Sequence, residues 1–202
     1  TACNFSGMNS FSNVVDVTIT DPVPAVYDGT SYSEDFESWP SVCNTNDIPS
    51  TSWRNVPASG DDSWRRDDQW FADAAGASNG GTYSPVFSTG AHSARFHTYN
   101  ASSGTQGSLD LYVDMSAATG DTRMTFDEIN PSGTDVLSVL VSTDGGANFT
   151  QVGSNVGVNT TWTSQTFDFG SSSSTTVIRL LATSDYGNDD IGIDNLHLAP
   201  AP

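Results

Sequence analysis

An all-β sandwich or barrel is the fold class the sequence predicts, and three observations predict it. From Tyr32 onward, short apolar-alternating runs recur along the chain. Clusters of Gly, Ser, Asn, Asp and Pro separate those runs, and no segment carries a sustained apolar stripe at helical spacing. A chain of 202 residues is long enough to bury the core of one large sandwich.

The elements can be taken in order. Residues 1–28 differ from the rest: Val14 to Thr20 reads as one strand, and Asp21-Pro22-Val23-Pro24 reads as a linker. This predicts the last strand of an upstream domain followed by a body at 29–202, and the opening Thr1-Ala2-Cys3-Asn4 reads as cut from a longer polypeptide. The clearest strand is Ser108–Met115. There Leu109, Leu111, Val113 and Met115 share one face, and Ser108, Asp110, Tyr112 and Asp114 share the other. Val136–Val141 is a second strand. It runs into Ser142-Thr143-Asp144-Gly145-Gly146, where Asp-Gly favours a tight hairpin because Gly accepts positive φ. Thr161–Phe169 and Thr176–Ala182 follow.

The last strand poses a parity problem. Ile191 and Ile193 share one parity and Leu196 and Leu198 the other, so a regular strand cannot turn all four inward. A bulge at Asp194-Asn195 repairs this by inserting one residue. A carboxylate re-aimed by that bulge needs a partner, because a buried unpaired charge is costly. The chain has six Arg and no Lys against 24 acidic residues, which makes a cation a natural partner.

Charge also bounds the partners. A net charge of −18 repels phosphate backbones and anionic membranes. No apolar run approaches the ~18 residues of a membrane span, so neither nucleic acid binding nor membrane insertion is expected. Most of the acid reads as solvated surface. Cys3 and Cys43 fit an oxidising compartment, where a bond between them would staple the N-terminal segment to the body.

Catalysis finds little support. His92 and His97 read as lying on one strand with opposite orientations, and His197 lies among apolar neighbours. There is no G-x-S-x-G, no H-E-x-x-H and no phosphate-cradling Gly loop. The chain therefore reads as an accessory domain and not as an enzyme.

Several segments occur in a recognisable order: Glu34-Asp35-Phe36-Glu37-Ser38, Trp53, Trp64, an expected strand Tyr83-Ser84-Pro85-Val86-Phe87, Ser93-Ala94-Arg95-Phe96, Ser142 to Gly146, and Ile193-Asp194-Asn195-Leu196. Together they resemble the MAM-like, cleaved-adhesin-type modules of secreted Bacteroidetes proteins. These include gingipain adhesin domains and the C-terminal domains of secreted metallopeptidases. The N-terminal strand similarly resembles the end of a PKD-like or Ig-like domain. The resemblance implies a two-sheet antiparallel jelly-roll β-sandwich with a calcium ion near the chain ends. Carried over position by position, the implied ligands are Asp35 and Glu37, Ser93 and Arg95 through their carbonyls, and Asp194 with Asn195. Asp35 stands where the family has serine, and Asn195 where it has a second acidic or similar residue. The family's D-x-D-x-D loop is missing; Gly60-Asp61-Asp62-Ser63 has the wrong spacing.

Trp53, Trp64 and Trp70 fall close together among Arg and Asp, as a sugar-binding face would need. The resemblance assigns Trp53 and Trp64 to the core, which leaves Trp70, Tyr99 and Tyr186 for an exposed platform. The expected function is a calcium-stabilised extracellular binding or adhesion module of a larger secreted bacterial protein. It would recognise a glycan or a protein surface beside neighbouring domains of the same polypeptide. The alternative is a non-binding spacer or assembly unit.

Overall fold

A computed structural model describes residues 21–40, 48–58, 62–68, 83–98, 101–186 and 189–202. Cys3, Cys43, the strand expected at 14–20, Asp61, Trp70 and Tyr99 lie outside the described residues. Among the described residues there are twelve strands: β1 (Ala25–Val26), β2 (Tyr32–Glu34), β3 (Trp53–Val56), β4 (Trp64–Arg66), β5 (Ala94–Phe96), β6 (Gln106–Asp114), β7 (Asp121–Asn130), β8 (Val136–Ser142), β9 (Thr150–Val156), β10 (Asn159–Gly170), β11 (Thr176–Thr183) and β12 (Ile191–Pro200). No helix occurs among the described residues.

The strands form two sheets. The first runs β1-β6-β11-β8-β9 with β3 also on β6, and the second runs β10-β7-β12-β5-β4 with β2 also on β12. All pairings are antiparallel except β1 with β6. The core lies between the sheets. Leu109, Leu111 and Val113 of β6 and Ile178, Leu180 and Ala182 of β11 enter it from one side. Met124 and Phe126 of β7 enter from the other, and all of these are buried. Phe126 stacks on Phe167 of the edge strand β10 at 5.7 Å and 9°. Trp53 and Trp64 are core residues, as expected. Tyr27 also lies in the core and Ala25 pairs with Val113, so residues 25–27 are part of the sandwich.

Two expectations are corrected. Asp144-Gly145 does not close a two-residue hairpin: β8 and β9 are joined by residues 143–149, with Gly145 and Gly146 at φ 75° and 91°. Glycine's tolerance of positive φ is used, but in a longer loop capped by Ser142 and Asp144. Ser142 Oγ accepts Gly146 N–H, and Asp144 Oδ1 accepts Asn148 N–H, both at 2.9 Å. Tyr83–Phe87 is not a strand. It crosses the outer face of the second sheet as an irregular strap.

The bulge in β12 is present where the parity of its apolar residues requires it. The register of β12 on β7 shifts between Asp194 and His197, and Asn195 has φ 54°. Ile191, Ile193, Leu196 and Leu198 are consequently all buried.

Two core-facing strand positions carry carboxyls, Glu34 opposite Leu196 and Glu128 opposite Ile193. Glu128 of β7 is fully buried, its Oε1 has no hydrogen-bond partner, and its Oε2 accepts Asn159 Nδ2 at 2.6 Å. Burial pushes its carboxyl from 4.5 up to about 7, against a smaller opposing effect of Asn159. A raised folded pKa means that ionisation costs stability, so stability contributed at low pH is lost as pH rises between about 4.5 and 7. Chemical denaturation across that window should show a loss of up to about 3 kcal/mol in the wild type. Glu128→Gln should flatten it; equal slopes in both proteins would place the ionisation elsewhere.

Candidate functional site

The site is built where β12 bulges. Because the extra residue lets Ile193 and Leu196 both face inward, Asp194 faces outward, yet it is buried by the strap of residues 83–92. Its Oδ2 accepts the amides of Ser88 and Thr89 at 2.9 and 3.0 Å, and its Oδ1 accepts Asn195 N–H at 2.7 Å. Directly across the ladder is Asp127 of β7. Asp127 Oδ2 accepts Ser88 Oγ–H at 2.6 Å and Asn195 Nδ2–H at 3.2 Å. Thr89 Oγ1 donates to Asn195 Oδ1 at 3.0 Å. Burial pushes the Asp194 carboxyl up, the amide bonds oppose this, and Asp127 adds a smaller upward push. Neither carboxylate has an ion pair among the described residues.

Glu37 holds the far end of the same strap. Its Oε1 accepts Ala91 and His92 N–H at 2.7 and 2.9 Å, and these bonds hold its carboxyl below its ordinary range. Between the two anchors is Gly90 at φ 69°, where a Cβ would lie 2.1 Å from Glu37 Oε1. Glycine is therefore required there on both conformational and steric grounds. The near end is held by packing. Tyr83 covers Gly192 of β12 and meets Trp162 edge-on at 5.6 Å, while Trp162 Nε1 donates to Pro85 O at 2.8 Å. Tyr83 OH and Ser93 Oγ are 2.8 Å apart, and Ser93 Oγ donates to Val86 O at 2.7 Å.

The expected ligand residues are thus gathered only in part. Asp194 and Asn195 adjoin, and Glu37 is linked to them through the strap. Asp35 is exposed on the same turn as Glu37, whose N–H it accepts at 3.2 Å. The Ser93 carbonyl accepts Asp67 N–H at 3.0 Å. Arg95 lies in β5 between β4 and β12, and its Nε donates to the buried Asp190. Asp190 also receives Thr98 N–H at 3.1 Å and lies 2.9 Å from His97 Nδ1. His92 and His97 flank β5 and do not share one strand; His92 Nδ1 is 3.0 Å from Asp67. Tyr186 is 65% exposed, with φ 60°.

Sequence reading missed Asp127, which looks like any acidic residue until the ladder places it opposite Asp194. It also missed a second cluster, Asp67, Asp68 and His92, whose ligand atoms lie within 4.8 Å of one another. Arg66 already engages both oxygens of Asp68 at 2.6 Å. The Asp127–Asp194 set offers only hard oxygen donors and has no ion-pair partner among the described residues.

Several known structures share this architecture. The chain is similar to the K2 cleaved adhesin domain of Lys-gingipain, with TM-score 0.57 and 14% identity over 85% of this chain and 98% of that one. It is similar to the K1 cleaved adhesin domain of Lys-gingipain from Porphyromonas gingivalis, with TM-score 0.51 and 15% identity over 86% and 100%. It is also similar to the CBM22-1 xylan-binding domain from Paenibacillus barcinonensis, with TM-score 0.50 and 11% identity over 87% and 97%. At these identities the likeness is one of fold: the chain is a jelly-roll β-sandwich, a fold shared by the cleaved adhesin domains and the xylan-binding domain. No protein-family model and no curated protein matches it.

The strap's dependence on close packing is testable. A Cβ at Gly192 would lie 2.5 Å from the Tyr83 ring, so Gly192→Ala must displace the strap. It should cost about 1–3 kcal/mol in denaturant unfolding. An unchanged midpoint would show that the strap does not contribute to the stability of the sheet beneath it.

Proposed function

We propose that the chain is a calcium-stabilised, non-catalytic binding or adhesion module of a larger secreted bacterial protein, working outside the cell on a glycan or protein surface. The likeness of its fold to cleaved adhesin domains and to a xylan-binding domain supports the module reading. One observation carries the calcium part: Asp127 and Asp194 face each other beneath the strap, and no arginine is paired with either. Asp127, Asp194 and the side-chain oxygens of Ser88, Thr89 and Asn195 would hold the ion, with Glu37 fixing the far end of the strap. Bound calcium would offset the repulsion of the two carboxylates and lock the strap to the second sheet.

A ligand that binds only the folded state at a hundred times its Kd stabilises by about 2.7 kcal/mol. For a domain of this size that is a rise in Tm of about 5–10 °C. Melts of EDTA-treated protein with and without calcium should show such a rise. Asp127→Asn with Asp194→Asn should abolish it while leaving the calcium-free protein folded, since an amide oxygen still accepts the strap's N–H groups. An absent rise, or one that survives the double substitution, sinks the site; its loss in Asp67→Asn alone would move the ion to the Asp67–His92 cluster.

A further inference from the structure

The outer face of the first sheet carries a constellation separate from the strap. Register aligns Arg54, Asp110, Arg179, Leu140 and Gln151 in one row across β3, β6, β11, β8 and β9. The row points outward because the alternate positions of these strands, such as Trp53, Leu109 and Ile178, fill the core. Arg179 Nε and Nη2 donate to the two oxygens of Asp110 at 2.8 and 2.7 Å, and its guanidinium carbon lies 3.9 Å from the Phe149 ring centre. In the adjacent row, the half-buried Tyr112 ring lies 5.1 Å from the Arg54 guanidinium carbon.

These groups are of the kind that sugar recognition uses: flat surfaces for the C–H faces of a ring, and polar groups at fixed positions for its hydroxyls. The fork of Asp110 and the ring of Phe149 already hold Arg179, so little side-chain entropy remains to be lost on binding. Five strands at ~4.8 Å spacing make the row about 19 Å long, which suits a chain of sugars better than a single one. Charge narrows the class further. Arg54 and Arg179 are balanced by Asp110 and by Asp21, which lies 3.2 Å from Arg54. The net charge of −18 repels polyanions.

We propose that the outer face of the first sheet, centred on Tyr112 and the Arg54–Asp110–Arg179 row, binds an uncharged polysaccharide laid across the strands. This rests on the reading of the chain as a binding module and gives that module a ligand class and a face. Native electrophoresis of the calcium-loaded chain through gels containing xylan, mixed-linkage β-glucan or galactomannan tests it. At least one polymer should retard the wild type. Tyr112→Ala should weaken that retardation at least about tenfold, Tyr112→Phe by less than about threefold, and Tyr186→Ala not at all. Circular dichroism and melting confirm folding, and the part-exposed Arg54→Gln gives the same readout if Tyr112→Ala does not fold. Retardation that survives both Tyr112→Ala and Arg54→Gln overturns the face and leaves the module reading standing. No retardation of the wild type by any of the three polymers overturns the polysaccharide, and a protein ligand is then the surviving form of the module reading.

Discussion

Four apolar side chains on β12, Ile191, Ile193, Leu196 and Leu198, all enter the core, although alternation allows only two of them to do so in a regular strand. The backbone resolves the conflict with one extra residue, taken up by Asn195 at φ 54°. Much of the second sheet's outer face follows from that concession. Asp194 is turned outward beside Asp127, its Oδ2 collects Ser88 and Thr89, and the strap is drawn down over β7 and β12. In regular alternation Asp194 would stay outward only if the two leucines were exposed, and burying the leucines instead would turn it into the core. The bulge keeps Asp194 outward while all four apolar residues are buried. The hydrophobic requirement of the core and the polar arrangement outside it are therefore one constraint seen from two sides.

The scarcity of cations explains why acids here bind backbone amides. Of six arginines, Arg54, Arg66, Arg95, Arg123 and Arg179 are each paired with an aspartate, and none of those aspartates is Asp127 or Asp194. An amide is the cheapest available donor, and two consecutive amides per carboxylate oxygen is the pattern at both Asp194 and Glu37. Such bonding satisfies the oxygens but does not neutralise the charge. For Glu37, at the rim, water does the rest. Asp194 is fully buried beneath the strap, and the push of burial on its carboxyl is only partly opposed by the amides.

The legibility of this structure in its sequence divides along the same line. Period-two alternation exposed β6, β8, β10 and β11 to within a few residues, and the parity conflict located the bulge, because both depend only on local geometry and on the demand for a core. Tyr83–Phe87 read as a strand because its residues are apolar and aromatic. The ladder partner it would need is missing, and Tyr83 instead packs over Gly192, a contact spanning more than a hundred positions. Asp127 was illegible for a similar reason: its meaning comes from being opposite Asp194, and register between distant strands is not written in either strand alone. The resemblance to adhesin modules implied Glu37, Asp194 and Asn195 as ligands of one ion; the structure places Glu37 at the far end of the strap from Asp194 and Asn195.

The two outer faces of the sandwich thus have different physical characters. The second sheet is covered by its own chain, and its polar groups face carboxylates, amides and hydroxyls of that chain. The first sheet is left open in its middle by the described residues, and there the side chains are braced against one another: Arg179 between Asp110 and Phe149, and Arg54 beside Tyr112. Bracing adds little stability at the exposed Arg54–Asp21 pair, while at the buried Asp110 it satisfies a carboxylate that would otherwise be unpaired. Its physical consequence is to fix in advance the positions of flat and polar groups that solvent would otherwise leave mobile. A face kept both open and ordered is suited to a ligand in a way that a covered face is not. The proposed binding role accordingly falls on the first sheet, and the proposed stabilisation by the strap on the second.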